Sequence, residues 1–282
     1  MAAKTLKLFS LIGWLILISF NLAWAKLKVS FPGRVYQGDC YWVRIVPDKR
    51  TTPLYLLTDH KKIKLPQTRS KKISLLLGTG VQTKKDQVFS LLYQEKSYLK
   101  KKTFLVKVMA KSFAVQHLHL PKKMVFFKPK VLSRIKREKK LVHKILNQIT
   151  SDQFLDKIVR PTSGIILSPF GVKRILNGQP RSYHRGVDFR ARLGTPIYSF
   201  STGKVVLTRS LFFGGNTVII DHGLGVYSLY MHLQKILVSS GQMVKAGQII
   251  GRAGMTGRAT GPHLHFGLFV LGKSVNPLAL FK

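Results

Sequence analysis

Cysteine is nearly absent from this chain of 282 residues, which has Cys40 as its single thiol. One cysteine excludes an internal disulfide framework and any metal site built from several thiolates. No cluster of basic residues surrounds Cys40 in the sequence, so the pattern does not favour an activated nucleophile. We expect its side chain to be a small, buried, apolar group.

Acidic residues are also scarce. The chain has 10 Asp and Glu residues against 48 Lys and Arg, which gives a formal net charge of +38 at pH 7. A positive excess of this size attracts polyanions. The lysine runs lack the interleaved aromatic residues of a single-stranded nucleic-acid platform, so no specific nucleic-acid binding is predicted. We expect the charge to draw the protein to anionic envelope polymers or to a membrane surface.

Long apolar runs are confined to the N-terminus. Leu8–Phe20 is mostly apolar, follows two lysines and precedes the small-x-small sequence Ala23-Trp24-Ala25. This pattern predicts a signal peptide over residues 1–25, cleaved after Ala25, and an exported protein that is periplasmic, bound in the cell envelope or secreted. The alternative is an uncleaved membrane anchor, because the apolar segment through Ala25 reaches the lower length limit for a bilayer span.

Two further segments precede the C-terminal half. Residues 26–120 consist of short apolar runs that alternate with polar turns, which predicts a small N-terminal β module. Residues 121–150 are predicted to be a basic linker followed by an amphipathic helix, since apolar residues recur at helical intervals from Val131 to Ile149. Ser133 is expected to cap this helix.

Helical periodicity is nearly absent from the C-terminal half. Strand-like runs such as Val226–Tyr230 alternate there with glycine turns such as Gly214-Gly215. We therefore predict a mainly β fold class, with an antiparallel β-sheet domain over residues 151–282. His222 lies in one of the turns, where we interpret it as a structural residue.

The motif that indicates chemistry is His263-x-His265. Successive side chains of a strand point to opposite faces, so both imidazoles would share one face while Leu264 points into the core. Together with the distant His184 and Asp188, two imidazoles can form the inner shell of a catalytic metal site. The motif alone describes two partly exposed strand histidines equally well.

A second pair of the same form shows this ambiguity. His117 and His119 are also separated by one leucine. They lack the glycine-rich approach, Gly251 to Gly261, that precedes the C-terminal pair, and they lie at the end of the predicted β module. We therefore interpret them as residues without a metal.

Six motifs, in this order, resemble those of the catalytic domain of lysostaphin-type (LytM-like) zinc peptidoglycan endopeptidases. The resemblance implies the fold of that family, a lysostaphin or duplicated-hybrid-motif sheet. The β module before it is similar to the prodomain-like module that often precedes such domains. The motifs span about Pro161 to Pro277 and are Ser168-Pro-Phe-Gly171, His184-x-x-x-Asp188, Gly194-Thr-Pro196, Tyr230-Met-His232-Leu233, Gly254-x-Thr-Gly257 and His263-x-His265.

The resemblance implies one Zn²⁺ per chain, held by His184, Asp188 and His265. Two neutral imidazoles and one carboxylate leave the metal a net positive charge and an open position for water. The two further histidines of the family correspond to His232 and His263. One would take the proton of the zinc-activated water and pass it to the leaving amine, and the other would donate to the oxyanion. The sequence does not assign these two roles.

Two more residues are expected to contact the substrate. Tyr230 stands two positions before His232, which would place both side chains on one face of a strand. Asn177 belongs to the predicted turn Asn177-Gly178.

The function implied by the resemblance is zinc-dependent endopeptidase activity that hydrolyses peptide cross-links of bacterial cell-wall peptidoglycan. The alternative is a catalytically silent or autoinhibited relative that binds the wall and activates another hydrolase. Silent relatives typically lack a metal ligand, whereas this chain has all of them. The sequence leaves open whether the bond is a D-Ala to diamino-acid cross-link or a glycine bridge, and it leaves the oligomeric state open.

Overall fold

The computed structural model describes residues 27–58, 61–66, 72–119 and 127–281. Within these ranges the fold is mainly β, with one α-helix and mostly antiparallel strand pairs, as predicted. The predicted signal peptide and most of the predicted basic linker lie outside the described residues. In the described part, no helix has the length and apolar character needed to cross a bilayer.

The described residues between 27 and 119 form the N-terminal β module. Strands β1, β3 and β6 pair in a three-stranded sheet, and a five-stranded sheet has the order β2-β8-β7-β4-β5. The nine strands are β1 (Lys28–Ser30), β2 (Arg34–Tyr36), β3 (Cys40–Val46), β4 (Thr51–Thr58), β5 (Lys62–Lys64), β6 (Ile73–Gly78), β7 (Gln87–Glu95), β8 (Tyr98–Met109) and β9 (Val115–Leu118).

The core of this module follows from the alternation of apolar and polar residues. In β3, Val43 and Ile45 are fully buried, while Arg44 between them is exposed. Apolar side chains that, like Val43 and Ile45, point inward from the two sheets pack together in one core. Cys40 is buried at the start of β3, and burial raises the pKa of its thiol to about 12. The prediction of a buried cysteine is confirmed.

An α-helix, α1 (Pro129–Leu146), precedes the C-terminal sheet. Pro129 sets its start, because proline fixes φ and its missing N–H would have no partner in the first turn. The amphipathic character is confirmed, since Ile135 and Leu146 are buried. The cap prediction is wrong, because Ser133 lies inside the helix and its hydroxyl donates to the carbonyl of Pro129 at 3.1 Å.

Twelve strands follow the helix, and ten of them form the main sheet. Its order is β10-β13-β20-β17-β16-β15-β18, with β19 pairing with β14 and β17, and β21 with β20. A 3₁₀ helix, Pro277–Leu280, follows the last strand. The strands are β10 (Ile166–Ser168), β11 (Lys173–Leu176), β12 (Gln179–Tyr183), β13 (Val187–Arg190), β14 (Pro196–Tyr198), β15 (Gly203–Leu211), β16 (Gly215–Asp221), β17 (Val226–Ile236), β18 (Met243–Val244), β19 (Ile249–Ala253), β20 (His263–Val270) and β21 (Lys273–Val275).

The hairpin β11–β12 joins the module to the main sheet. β9 pairs in parallel with β11, so the last strand of the module extends the hairpin to three strands. Phe113, just before β9, packs so closely on Gly171 that a Cβ there would overlap the phenyl ring. Gly171 also has a φ of +86°, a conformation that favours glycine. Glycine at this position therefore allows the module to dock beside the hairpin.

His222 belongs to a buried network of hydrogen bonds. His222 follows β16 and is fully buried, as expected for a structural residue. Its Nδ1 donates to the carbonyl of Thr202 at 2.8 Å, and its Nε2 lies 2.7 Å from the hydroxyl of Ser228. Because this environment excludes water, burial lowers the pKa of His222 to about 4.

This histidine predicts how stability depends on pH. The pKa of His222 is about 4 in the folded chain against 6.5 for the ordinary side chain. Between these values the unfolded state binds the extra proton, so the free energy of unfolding decreases as pH falls from 7 towards 4. The expected decrease is on the order of 3 kcal/mol. Urea unfolding from pH 7 to pH 4.5 measures it, and His222→Gln should give a shallower slope. Identical slopes in the two proteins would contradict the prediction.

Candidate active site

Strand pairing brings the three predicted metal ligands together. β13 and β20 are antiparallel neighbours, and Asp188 lies directly opposite His265 in their register. His184, three residues before β13, points its ring to the same place. Among the residues that the structure describes, these form the one group of three or more His, Cys, Asp or Glu side chains whose ligand atoms lie within 4.8 Å of one another.

A hydrogen bond to the backbone fixes the ring of His184. Its Nδ1 lies 2.8 Å from the carbonyl oxygen of Pro169, which can only accept. The proton is therefore on Nδ1 and the lone pair on Nε2. That Nε2 lies 3.0 Å from Oδ1 of Asp188 and 3.1 Å from Nδ1 of His265. The backbone contact is the kind of outer hydrogen bond that orients an imidazole towards a metal.

The three donor atoms suit a metal ion. Oδ1 of Asp188 also lies 2.7 Å from Nδ1 of His265, so two nitrogens and one oxygen face a single point. Lone pairs this close repel one another unless a cation or a proton lies between them. Two imidazoles and one carboxylate leave a fourth tetrahedral position for a water or substrate atom. The side chain of His265 is 14% exposed, so the centre is partly accessible to solvent.

The two oxygens of Asp188 have separate partners. Burial opposes ionisation of this carboxyl, but the contacts with the rings of His184 and His265 outweigh burial and hold its pKa well below the usual range. While Oδ1 faces the two histidines, Oδ2 accepts from Nη2 of Arg174 at 2.9 Å. The guanidinium thereby fixes which oxygen points to the metal centre.

Arg174 was not identified from the sequence. It lies in β11, and the hairpin β11–β12 carries it to Asp188 from outside the main sheet. The Asn177-Gly178 dipeptide between the two strands is a strong hairpin signal. The turn was predicted from the sequence, whereas the contact of Arg174 with Asp188 depends on how the folded hairpin packs.

The closing histidine pair has the predicted arrangement. Leu264 is completely buried, and His263 and His265 are partly exposed on the other face of β20. Gly186 makes room for this arrangement, because a Cβ there would overlap the ring of His265 and the carbonyl of Phe266. The glycine inside the His-x-x-x-Asp motif is therefore part of the site.

An irregularity in β17 alters the direction of His232. Against β16, Tyr230 pairs with Val218 while Leu233 pairs with Asn216, so three residue steps in β17 match two steps in β16. This is a β-bulge, which inserts one residue and can redirect a side chain. His232 has a φ of +64°, in the left-handed region that non-glycine residues rarely adopt.

The bulge places His232 beside the metal centre. Its ring centroid lies 4.7 Å from that of His263 and 6.2 Å from that of His265. Its backbone N–H donates to the carbonyl of Gly214 at 2.7 Å, which holds the unusual backbone conformation. The five predicted polar residues of the site therefore lie together.

Both additional histidines present a lone pair. Nδ1 of His232 donates to the carbonyl of Thr256 at 2.8 Å, and Nδ1 of His263 donates to the carbonyl of Gly261 at 2.9 Å. Nε2 of each neutral ring is therefore a proton acceptor. Burial lowers the pKa of His232 to about 4, so its ring is neutral at pH 7.

The prediction that Tyr230 contacts the substrate is wrong. Its side chain is completely buried, and its hydroxyl accepts from the backbone N–H of Phe200 at 2.7 Å. The bulge is the reason, because the extra residue breaks the alternation that would have placed Tyr230 on the same face as His232.

Asn177 lies at the exposed turn of the hairpin β11–β12, with a φ of 49°. The same hairpin carries Arg174 to the metal centre. A contact between Asn177 and the substrate stays a prediction.

The second His-x-His sequence lies elsewhere. His117 is exposed in β9, and His119 is exposed just after it. Neither belongs to the converging group of ligand atoms found in the described ranges. The pair is a natural control for His263 and His265, because its local pattern is the same and its surroundings differ.

Known proteins resemble this chain in the region of the site. Residues 182–277, which contain all five polar site residues, match the family described as Peptidase family M23. A crystal structure of a Pseudomonas aeruginosa protein assigned to peptidase M23 superposes with a TM-score of 0.58 and 30% sequence identity. The superposition covers 80% of this chain and 86% of that chain.

Two curated relatives match over shorter stretches. Peptidoglycan DD-endopeptidase ShyA of Vibrio cholerae is 50% identical over 95 residues, which are 34% of this chain and 22% of the relative. DD-carboxypeptidase/endopeptidase Mpg of Neisseria meningitidis is 37% identical over 115 residues, which are 41% of this chain and 26% of the relative. The chain thus spans only about a quarter of the length of these relatives.

Proposed function

The chain belongs to peptidase family M23, and we propose that it is a zinc-dependent endopeptidase that hydrolyses peptide cross-links of bacterial peptidoglycan. The observation that carries the proposal is the convergence of ligand atoms from His184, Asp188 and His265. His232 and His263 add two proton acceptors beside that point. ShyA, a relative of the matched region, is named a peptidoglycan DD-endopeptidase, which supports a peptide bond of the wall as the substrate.

A zinc ion held by the three ligands would lower the pKa of a bound water towards ~7 and polarise the scissile carbonyl. Two contacts with other residues orient these ligands. The carbonyl of Pro169 fixes the ring of His184, and the guanidinium of Arg174 holds the second oxygen of Asp188. Such outer contacts reduce the cost of ordering the ligands when the metal binds.

We assign the general base to His232. Its Nδ1–H is committed to Thr256, and its low pKa keeps the ring neutral, so Nε2 is available to take the proton of the attacking water. Once protonated, a ring with a low pKa readily gives this proton to the leaving amine.

We propose that His263 stabilises the oxyanion. Its Nδ1 proton is committed to the carbonyl of Gly261, so the ring can donate to an oxyanion only when Nε2 is also protonated.

The complete set of ligands favours an active enzyme over a silent activator. Peptidoglycan lies outside the cytoplasmic membrane, so this function requires export to the periplasm or cell envelope. The signal peptide predicted over residues 1–25 would provide that export. The large positive charge would add attraction to anionic polymers or lipids of the envelope.

Digestion of isolated peptidoglycan tests the proposal. The purified chain with Zn²⁺ should release soluble fragments, EDTA should stop the release, and added Zn²⁺ should restore it. Mg²⁺ is the control, because it prefers oxygen ligands and should not restore activity. Mass analysis of the fragments distinguishes a D-Ala to diamino-acid cross-link from a glycine bridge. Wall binding without fragment release in the zinc-loaded state would support the silent activator instead.

A further inference from the structure

Helix α1 contains a single acidic residue, Glu138, in an otherwise strongly basic sequence. Its side chain is only 16% exposed. Oε2 accepts from the backbone N–H of Phe212 at 2.7 Å, and Oε1 accepts from Nε of Arg134 at the same distance. Phe212 lies between β15 and β16, in a segment that we call the hairpin tip (residues 211–215). One carboxylate therefore ties the helix to the hairpin tip by a charge-assisted hydrogen bond.

Other contacts between the helix segment and the hairpin tip act in the same direction. The ring of Phe127, two residues before the helix, packs edge-on against Phe212 and Phe213 with centroids 5.2 and 5.8 Å apart. Leu146 of the helix shares an apolar cluster with Leu211. These contacts set the position of the hairpin tip from outside the sheet.

The hairpin tip in turn holds His232. The carbonyl of Gly214 accepts the backbone N–H of His232 at 2.7 Å. Asn216, just after the tip, donates its N–H to the hydroxyl of Thr256 at 2.9 Å. The carbonyl of Thr256 accepts Nδ1–H of His232 at 2.8 Å. The backbone and the ring of the histidine are therefore both held by groups at or next to the tip.

His232 needs this support more than the metal ligands do. Its φ of +64° is a conformation that persists only where the surroundings enforce it. Asp188 and His265 lie on the paired strands β13 and β20, and His184 is fixed by Pro169. A shift of the hairpin tip would therefore move His232 and leave the metal ligands in place.

We propose that Glu138 is a positioning residue, which holds the hairpin tip through the N–H of Phe212 and so keeps His232 beside the metal centre. This inference rests on the proposed function. According to this inference, activity depends on a residue of helix α1, which lies outside the residues that match the peptidase family.

Three substitutions in the full chain test the inference. Glu138→Ala removes the acceptor, and Glu138→Asp keeps the charge but is one methylene too short to reach Phe212. Both should lower kcat about 10- to 100-fold, with KM and bound zinc unchanged. Glu138→Gln keeps an oxygen that can accept the N–H and should recover most of kcat. Glu95→Ala removes a partly exposed carboxylate of the β module, which pairs with Lys100, and should leave kcat unchanged.

A second readout does not depend on turnover. In ¹⁵N NMR spectra of the zinc-loaded chain, the imidazole of His232 should show an Nδ1–H tautomer held in a hydrogen bond. Glu138→Ala and Glu138→Asp should weaken or shift this signal, and Glu138→Gln should keep it. If the unmutated chain releases no fragments from peptidoglycan, the proposed function fails and this spectrum still decides the inference.

Several results would overturn the role of Glu138. The first is an unchanged kcat together with an unchanged His232 signal in Glu138→Ala and Glu138→Asp. The second is an equal loss of kcat in all three Glu138 variants. The third is a loss of kcat that follows a loss of zinc. Glu138→Asp keeps the test valid if Glu138→Ala does not fold.

Discussion

Replacing His265 by Ala is expected to abolish hydrolysis and weaken zinc binding in the same protein. The substitution removes one of three converging ligand atoms and leaves Nε2 of His184 and Oδ1 of Asp188. Loss of a metal that supplies several kilocalories per mole of transition-state stabilisation corresponds to a decrease in activity on the order of 10³-fold or more. Zinc content after dialysis and fragment release from peptidoglycan measure the two effects.

The matched control for this substitution is the other histidine pair. His117→Ala and His119→Ala each remove an imidazole from a sequence of the same form, at exposed positions near β9. Both variants should keep full zinc content and full activity. Activity that survives in His265→Ala, or zinc loss in His117→Ala, would contradict the assignment of the metal centre.

The two histidine pairs also show what a local pattern can predict. Strand alternation correctly placed Leu264 in the core with His263 and His265 on the opposite face. The same alternation applies to His117 and His119, so it does not identify a metal site by itself. The difference is the pairing of β20 with β13, which brings Asp188 opposite His265. The resemblance to a known family supplied this partner before the strand pairing was known.

Strand alternation predicted the wrong direction for the side chain of Tyr230. A regular strand would have put it on the face of His232, and the bulge in β17 buries it instead. A bulge adds one residue without changing the apolar pattern on either side, so the sequence carries no clear sign of it. The family resemblance placed His232 in the site, but strand alternation alone could not predict the direction of its side chain.

Long-range polar contacts were likewise outside the reach of the sequence. Arg174 meets Asp188 because a hairpin folds back, and Glu138 meets Phe212 across 74 positions of the chain. Neither contact follows from periodicity or spacing, since each depends on how separate elements pack. The apolar face of helix α1 was predictable, but the element against which it packs was not.

His232→Gln is expected to lower kcat by about 10²- to 10⁴-fold without loss of zinc. The substitution keeps an amide N–H that can donate to Thr256 but removes the basic Nε2. The metal ligands lie outside β17, so bound zinc should equal that of the unmutated chain. Rates on a defined cross-linked muropeptide, measured with the zinc content of the same samples, provide the test.

His263→Gln and His143→Gln complete this experiment. His143 is exposed on helix α1, so its replacement should leave kcat unchanged. Because burial keeps the ring of His232 neutral and Nε2 is an acceptor, the base assignment predicts a larger loss in His232→Gln than in His263→Gln. The reverse order would exchange the two roles, since both rings donate Nδ1–H to a carbonyl and present Nε2 beside the metal centre. Zinc loss in His232→Gln would instead show that the bulge supports the ligands and not only the base.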